Sequence, residues 1–284
     1  EVSELVTYDV TPASKVTSRI AGFDIVITNK TSLQRESIES SSSLKLITVL
    51  ATGTNMIDVT AASERGVPVS NCVAYGVDSV VQHVWSLILA LHTNLVGYAV
   101  DVRKGEWEKS AQFCFFNHQI SELKGKTLGI IGYGNLGKGV AQVAEVFGMN
   151  VIVANRVGMP LVQGRLPLAE LLKTADVISI HCPLNQDTSN LISEKELSLM
   201  KPTAFLINAA RGGIVNESDL ALALKQGVIA GAGIDVLSQE PPRKGNVLLD
   251  PTIPNLVITP HIAWGSEEAR NRIIAQTAEN IAAF

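Results

Sequence analysis

The chain has 284 residues, which fits two domains more comfortably than one, and its 46% hydrophobic content is ample for real cores. Its 23 basic and 27 acidic residues are spread along the length for a net charge of −4, so no basic stripe marks it for nucleic acid. Cys72, Cys114 and Cys182 are odd in number, far apart and without a CxxC. They predict reduced thiols in a cytoplasmic protein and speak against a disulfide frame or a metal site.

Between Ala13 and Val73 helical and extended segments alternate. Strands are expected at Asp24–Thr28, Leu46–Leu50 and Val67–Ser70, with an amphipathic stretch from Asp58 to Arg65. The most apolar run, Val80 to Val100, contains Gln82, His83, His92, Thr93 and Asn94. It predicts a buried helix and its continuation, not a membrane span. No secretory signal is read at the start, and the chain begins at Glu1 without a Met, leaving room for a short piece ahead of it.

The central part alternates more strongly. Thr127–Ile131, Asn150–Ala154, Val177–His181, Ala204–Asn208 and Gly231–Asp235 are short apolar runs of the kind buried on both faces of a parallel sheet. Helices are expected between them at Leu136–Phe147, Leu168–Thr174, Glu194–Leu199 and Glu217–Gln226. Ser266, followed by Glu267 and Glu268, caps a last helix toward Phe284. This is an α/β pattern of doubly wound parallel sheets. The expected organisation is a dinucleotide-binding domain, residues 92–263, inserted into a discontinuous substrate-binding domain of residues 1–91 and 264–284.

Gly132-Tyr133-Gly134-Asn135-Leu136-Gly137 is a GxGxxG that directly follows the strand Thr127–Ile131 and opens a helix. Gly132 permits the tight turn, Gly134 lets backbone approach a pyrophosphate, and Gly137 allows helix and strand to pack closely. Free N–H groups at the helix start then hold the phosphates. About twenty residues on, an acid normally grips the adenosine ribose. Here the chain reads Ala154-Asn155-Arg156, and no Asp or Glu occurs between Glu145 and Glu170. Asn155 is able to bond a ribose hydroxyl and Arg156 to pair with a 2′-phosphate. The cofactor is therefore NAD(P)H, with NADP(H) favoured and NAD(H) left open.

Reducing a 2-keto acid needs a grip on the carboxylate and a proton for the carbonyl oxygen. Arg211, in Asn208-Ala209-Ala210-Arg211-Gly212-Gly213, suits the first. Asp235 closes the next strand, Glu240 comes five residues later, and Thr259-Pro260-His261 ends an extended run. If Glu240 contacts the far ring nitrogen of His261, it fixes the tautomer and raises the imidazole pKa, making His261 a usable general acid.

These residues together resemble the D-isomer-specific 2-hydroxyacid dehydrogenases over nearly the whole chain. The resemblance rests on Gly132 to Gly137, His181-Cys182-Pro183-Leu184, Leu199-Met200-Lys201-Pro202, Asn208 to Gly213, Gly233 to Val236, Glu240-Pro241-Pro242 and Thr259-Pro260-His261. It implies that Arg211 binds substrate carboxylate and carbonyl, His261 is the acid/base and Glu240 supports it. It also implies that Asp235 and the Ala209, Ala210 and Arg211 backbone lie near the nicotinamide, and that His181, Cys182, Pro183 and Thr188 line the cofactor. The Thr52-Gly53-Thr54 backbone is implied to take the substrate carboxylate. Tyr75 to Val84, Phe113-Cys114-Phe115-Phe116 and Met200 to Asn208 look like the bacterial glycerate dehydrogenase (hydroxypyruvate reductase) branch. Many relatives have Ala-Glu where this chain has Gln82-His83. The reaction then expected is reduction of hydroxypyruvate or glyoxylate to D-glycerate or glycolate, by a homodimer joined through the cofactor domain near Val84 to Trp107.

Two other readings are open. One is a lactate- or phosphoglycerate-type dehydrogenase, to be told apart by the pocket around Thr52 to Asn55 and Tyr75; the other is a non-catalytic cofactor sensor. Formate dehydrogenases of this fold pair Gln with the histidine, against Glu240 here. Tyrosine-based short-chain dehydrogenases are disfavoured because none of Tyr8, Tyr75, Tyr98 or Tyr133 is followed four residues later by Lys.

Overall fold

A computed structural model describes residues 4–284. They divide into two compact units, residues 4–76 with Ser266–Phe284, and Val77–Gly265. In chain order the first holds α1 (Val16–Ile20), β1 (Ile25–Thr28), α2 (Arg35–Ser40), β2 (Leu46–Val49), α3 (Val59–Glu64) and β3 (Val69–Asn71). The second holds α4 (Val77–His92), α5 (Leu95–Arg103), β4 (Thr127–Ile131), α6 (Asn135–Val146), β5 (Asn150–Val153), α7 (Leu168–Thr174), β6 (Val177–Ile180), α8 (Glu194–Leu197), β7 (Phe205–Asn208), α9 (Glu217–Lys225), β8 (Gly231–Ile234) and β9 (Leu256–Ile258). The chain returns to the first unit as α10 (Glu267–Ala283).

In the first unit the strands form a parallel sheet in the order β1-β2-β3. Its core gathers Val16, Ile20, Leu33, Ile38, Ile47, Val49, Ile57 and Val67. The Asp58 carboxylate caps α3 by accepting the Ala61 N–H at 2.8 Å. Ser266 caps α10 in the same way through the Ala269 N–H, as its position before Glu267 predicts. α10 packs on β2, and its Thr277 hydroxyl lies 3.3 Å from buried Cys72.

The second unit is built on six parallel strands in the order β5-β4-β6-β7-β8-β9. Every residue of β6 and β8 is buried, as continuous apolar runs require when helices cover both faces. One apolar cluster, with Leu171, Ile178, Leu206 and Leu220, fills one face. The other, with Val84, Ile88, Leu128, Val140 and Ile207, fills the opposite face under α4 and α6. The chain leaves β4 toward β5 on one side, then crosses to β6 on the other. This places the switch point between β4 and β6, where such sheets open a crevice at their carboxyl ends.

Residues 77–91, expected with the smaller part, lie in the larger unit, because α4 buries Val84, Trp85, Leu87, Ile88 and Leu91 against that sheet. The apolar run breaks at Asn94, whose φ of 49° ends one helix and turns the next by 62°. Among the described residues no single helix is long and apolar enough to cross a membrane.

Candidate active site

The loops after β4, β6, β7, β8 and β9 all leave the same edge of the larger unit, because the strands are parallel. The glycine turn begins it. Gly132 has φ +96°, and a Cβ there would sit 2.5 Å from the Cys182 nitrogen and 2.6 Å from the His181 carbonyl carbon. Only glycine lets the turns after β4 and β6 meet this closely. A Cβ on Gly137 would lie 2.3 Å from the Gly132 carbonyl oxygen, so glycine is needed there for the helix start to close on the turn. Gly134 differs from both: nothing lies within 4 Å of its Cβ position. It is also the N-cap of α6 and caps it with no side chain. The open space and the uncapped helix start, with Asn135, Leu136 and Gly137 in its first turn, fit a dinucleotide pyrophosphate.

Around this turn the side chains are held inward. His181 donates its backbone N–H to Ile131 and places ring Nε2 2.8 Å from the Ser179 hydroxyl. Its Nδ1 is sealed from solvent with no partner, and burial pushes the imidazole down to about 4. Burial raises the neighbouring Cys182 thiol. Thr188 donates to the Pro183 carbonyl at 2.6 Å and accepts the Asn185 N–H at 2.8 Å, fixing the turn that carries Pro183.

After β5, the Asn155 amide donates to the carbonyls of Arg156, Met159 and Pro160, and its oxygen accepts the Val162 N–H. Its side chain folds its own loop, while Arg156 is exposed. Arg165 donates to the Ala154 carbonyl at 3.2 Å and stands 5.4 Å above the Tyr133 ring of the glycine turn. Sequence reasoning passed over this cation; its signal was its return to the end of β5 through the Ala154–Leu166 bridge, which only pairing reveals.

At the end of β7, the buried Asn208 amide donates to the Arg211 carbonyl at 3.0 Å, and its oxygen accepts the Ala210 N–H at 3.1 Å. The turn presents Arg211 at the surface, with Ala209 and Ala210 buried beneath. Gly212 comes next, and a Cβ there would lie 1.9 Å from the Leu237 carbonyl oxygen. The Arg211 turn is thus pressed against the segment after β8. In that segment the Leu237 N–H donates to Glu240 Oε1 at 2.9 Å, and Glu240 Oε2 lies 2.6 Å from His261 Nδ1. An ionised carboxylate only accepts, so Nδ1 carries the hydrogen and Nε2 faces away from Glu240. The expected carboxylate–imidazole pair is formed, with both side chains partly exposed at 32% and 26%.

The backbone under His261 is unusual. Its φ is +54°, which costs a non-glycine residue about 1–2 kcal/mol, and the surroundings hold it there. Its N–H donates to the Asp235 carbonyl at 2.7 Å, and its carbonyl accepts the Trp264 Nε1–H at 3.0 Å. The fully buried Asp235 carboxylate accepts the N–H groups of Ile262 and Ala263, each at 3.0 Å, and the Thr259 hydroxyl. Asp235 therefore anchors the loop that carries the histidine.

Residues 85–263 match the family described as "D-isomer specific 2-hydroxyacid dehydrogenase, NAD binding domain". The chain belongs to that family. Its members are oxidoreductases of the CH–OH group, and this chain carries their NAD-binding domain. It is 44% identical to a glycerate dehydrogenase of Methylorubrum extorquens, over 95% of this chain and 85% of that protein. It is 37% identical to a hydroxypyruvate reductase of Blautia hydrogenotrophica, over 100% of this chain and 89% of that one. Among solved structures, an acyclic imino acid reductase in complex with NADPH and D-Arg has a TM-score of 0.83 at 36% identity, covering 98% of this chain and 87% of that one.

The remaining sites expected from sequence, Thr52, Gly53 and Thr54, lie in the smaller unit just beyond β2. There the Thr52 carbonyl accepts the Asn71 amide at 2.7 Å and the Thr54 carbonyl accepts the Ile57 N–H at 2.9 Å.

Proposed function

We propose that this dehydrogenase reduces hydroxypyruvate, and more generally small 2-keto acids such as glyoxylate, with His261 as proton donor. The observation that carries the reading is the 2.6 Å contact between Glu240 and His261 Nδ1 on the same sheet edge as the glycine turn. Glu240 holds the imidazole in one orientation, so His261 Nε2 is the atom that gives a proton to the carbonyl oxygen and takes it back in the reverse direction. Arg211 suits the substrate carboxylate, because a guanidinium forks onto it with two parallel bonds. The family resemblance also offers the Thr52–Thr54 backbone, in the smaller unit, as a substrate-binding segment. When bound at Gly132 to Gly137, the nicotinamide cofactor supplies the hydride.

NADPH is the reading favoured over NADH. No acid comes after β5 before Glu170, the Asn155 amide is spent on its own loop, and Arg156 and Arg165 bring two cations to that end of the turn. A homodimer is the expected assembly. α5 buries none of its residues, and Trp107, Phe113, Phe116 and Ile120 beyond it are exposed, which suits coverage by a second copy.

The test is absorbance loss at the nicotinamide band with hydroxypyruvate, glyoxylate, pyruvate and phosphohydroxypyruvate, each with NADPH and with NADH. Hydroxypyruvate with NADPH should give the highest kcat/KM, and Arg156→Ala should narrow the NADPH preference. Turnover confined to pyruvate or to the phosphorylated acid would refute the substrate assignment.

A further inference from the structure

α4 lies directly on β8: a Cβ on Gly233 would come within 3.0 Å of the Leu87 Cβ. One helical turn before Leu87 is His83, and two residues along the strand from Gly233 is Asp235. Four helical residues rise about 6 Å and two strand residues about 6.6 Å, so the packing that sets Leu87 over Gly233 also sets His83 beside Asp235. Here His83 Nε2 is 2.9 Å from the Thr259 hydroxyl oxygen and 3.5 Å from Asp235 Oδ1.

The directions of these bonds are fixed by what each group offers. Asp235 Oδ1 takes the Thr259 hydroxyl hydrogen, so the Thr259 oxygen is left to accept, and His83 Nε2 is the donor. A chain results from the His83 Nε2–H to the Thr259 Oγ1–H to the Asp235 carboxylate. The same carboxylate receives the Ile262 and Ala263 N–H groups immediately after His261. Such a chain polarises along its length, and losing the donor at its head weakens the bonds further along.

We propose that His83 is a positioning residue for proton transfer, acting through Thr259 and Asp235 on the loop that holds His261 in its left-handed backbone. The assignment rests on the reading of His261 as proton donor. The chain of bonds from His83 ends on the loop backbone beside His261, not on its ring, so the effect of His83 passes through the backbone.

The test compares His83→Ala, His83→Gln, Thr259→Ala and His83→Ala/Thr259→Ala in the full chain. Glutamine keeps an N–H donor near the place of Nε2. Peptide-level hydrogen exchange without substrate should show residues 259–265 exchanging at least about fivefold faster in His83→Ala and at the parent rate in His83→Gln. Turnover of the best 2-keto acid should fall about tenfold in kcat for His83→Ala, with little change in KM for the dinucleotide. Glutamine should restore it to within about twofold, and the Ala effect should vanish in the Thr259→Ala background. Unchanged exchange in His83→Ala, equal losses for Ala and Gln, a looser loop with parent kcat, or additive losses in the double variant would each overturn the proposal. If the parent enzyme reduces none of the 2-keto acids, the functional reading fails, and the exchange comparison alone decides whether His83 holds the loop.

Discussion

The glycine turn and the histidine loop share one sheet edge but are built on opposite principles. The turn works by what is missing: three glycines within six residues permit close approach at two places and leave open space at the third. The histidine loop works by what is present. It needs Asp235, Glu240, Thr259 and Trp264, contributed from beyond two neighbouring strands and bonded to one another or to the loop backbone. On the proposed reading, a ligand cradle has to stay unfilled until the ligand arrives, whereas a proton donor has to be aimed before it does.

This contrast is sharpest if the two ends fail independently. His261→Ala should lower kcat for 2-keto acid reduction by about 10²–10⁴, the usual weight of a positioned acid. Dinucleotide Kd, read by nicotinamide fluorescence, should change by less than about threefold, since the glycine turn stands without the ring. A large loss of dinucleotide binding would show that the two ends are one structure.

The glycines themselves divide. Gly132→Ala drives a Cβ into the His181–Cys182 backbone in a left-handed conformation. Overpacking of about 1–3 kcal/mol plus about 1–2 kcal/mol for the backbone predicts a melting temperature lower by roughly 10 °C. Gly134→Val adds a Cβ with no protein atom within 4 Å and has φ −84°, so thermal stability should stay within about 2 °C. Its side chain would occupy the space proposed for the phosphates, so dinucleotide Kd should rise at least about tenfold. If Gly134→Val binds NADPH normally, the open space is not the cradle.

The same contrast explains what the sequence could reveal. The inner strands β4, β6, β7 and β8 were legible because they are apolar runs buried almost throughout, whereas the edge strands β5 and β9 are only partly covered. The ends of the five expected strands differ from expectation by about one residue, as at Asn150–Val153. The glycine turn was legible because its motif is contiguous and each glycine answers a local steric demand. The Glu240–His261 contact joins residues 21 apart and entered as a condition, which folding met. Asp235 was harder: spacing marks a carboxylate at a strand end but does not reveal that both oxygens are spent on the loop 24 to 28 residues later. His83 stood out only against the Ala-Glu that the family resemblance implies, because its partner is set by how α4 lies on β8. Asn155 likewise offered two uses, and its loop claims the amide.

A last predicted effect concerns two histidines that are held inward and lack a partner at one ring nitrogen. Burial lowers both His92 and His181 to about 4, from an ordinary 6.5, with Lys126 also disfavouring the charged form of His92. Below 6.5 the unfolded chain takes up protons that the folded chain refuses, so unfolding gains free energy as pH falls. Stability should therefore be full above about 6.5 and decline as pH drops toward 4. Melting curves between about pH 7.5 and 4.5 should show this slope, and His92→Phe should reduce it. The variant also leaves the Ser121 hydroxyl without its 2.7 Å partner, lowering stability at every pH. The change in slope, not in height, is therefore the measurement that matters. An unchanged slope would assign the acid sensitivity elsewhere, and a melting temperature flat across that range in the parent would mean both rings accept protons without leaving the fold.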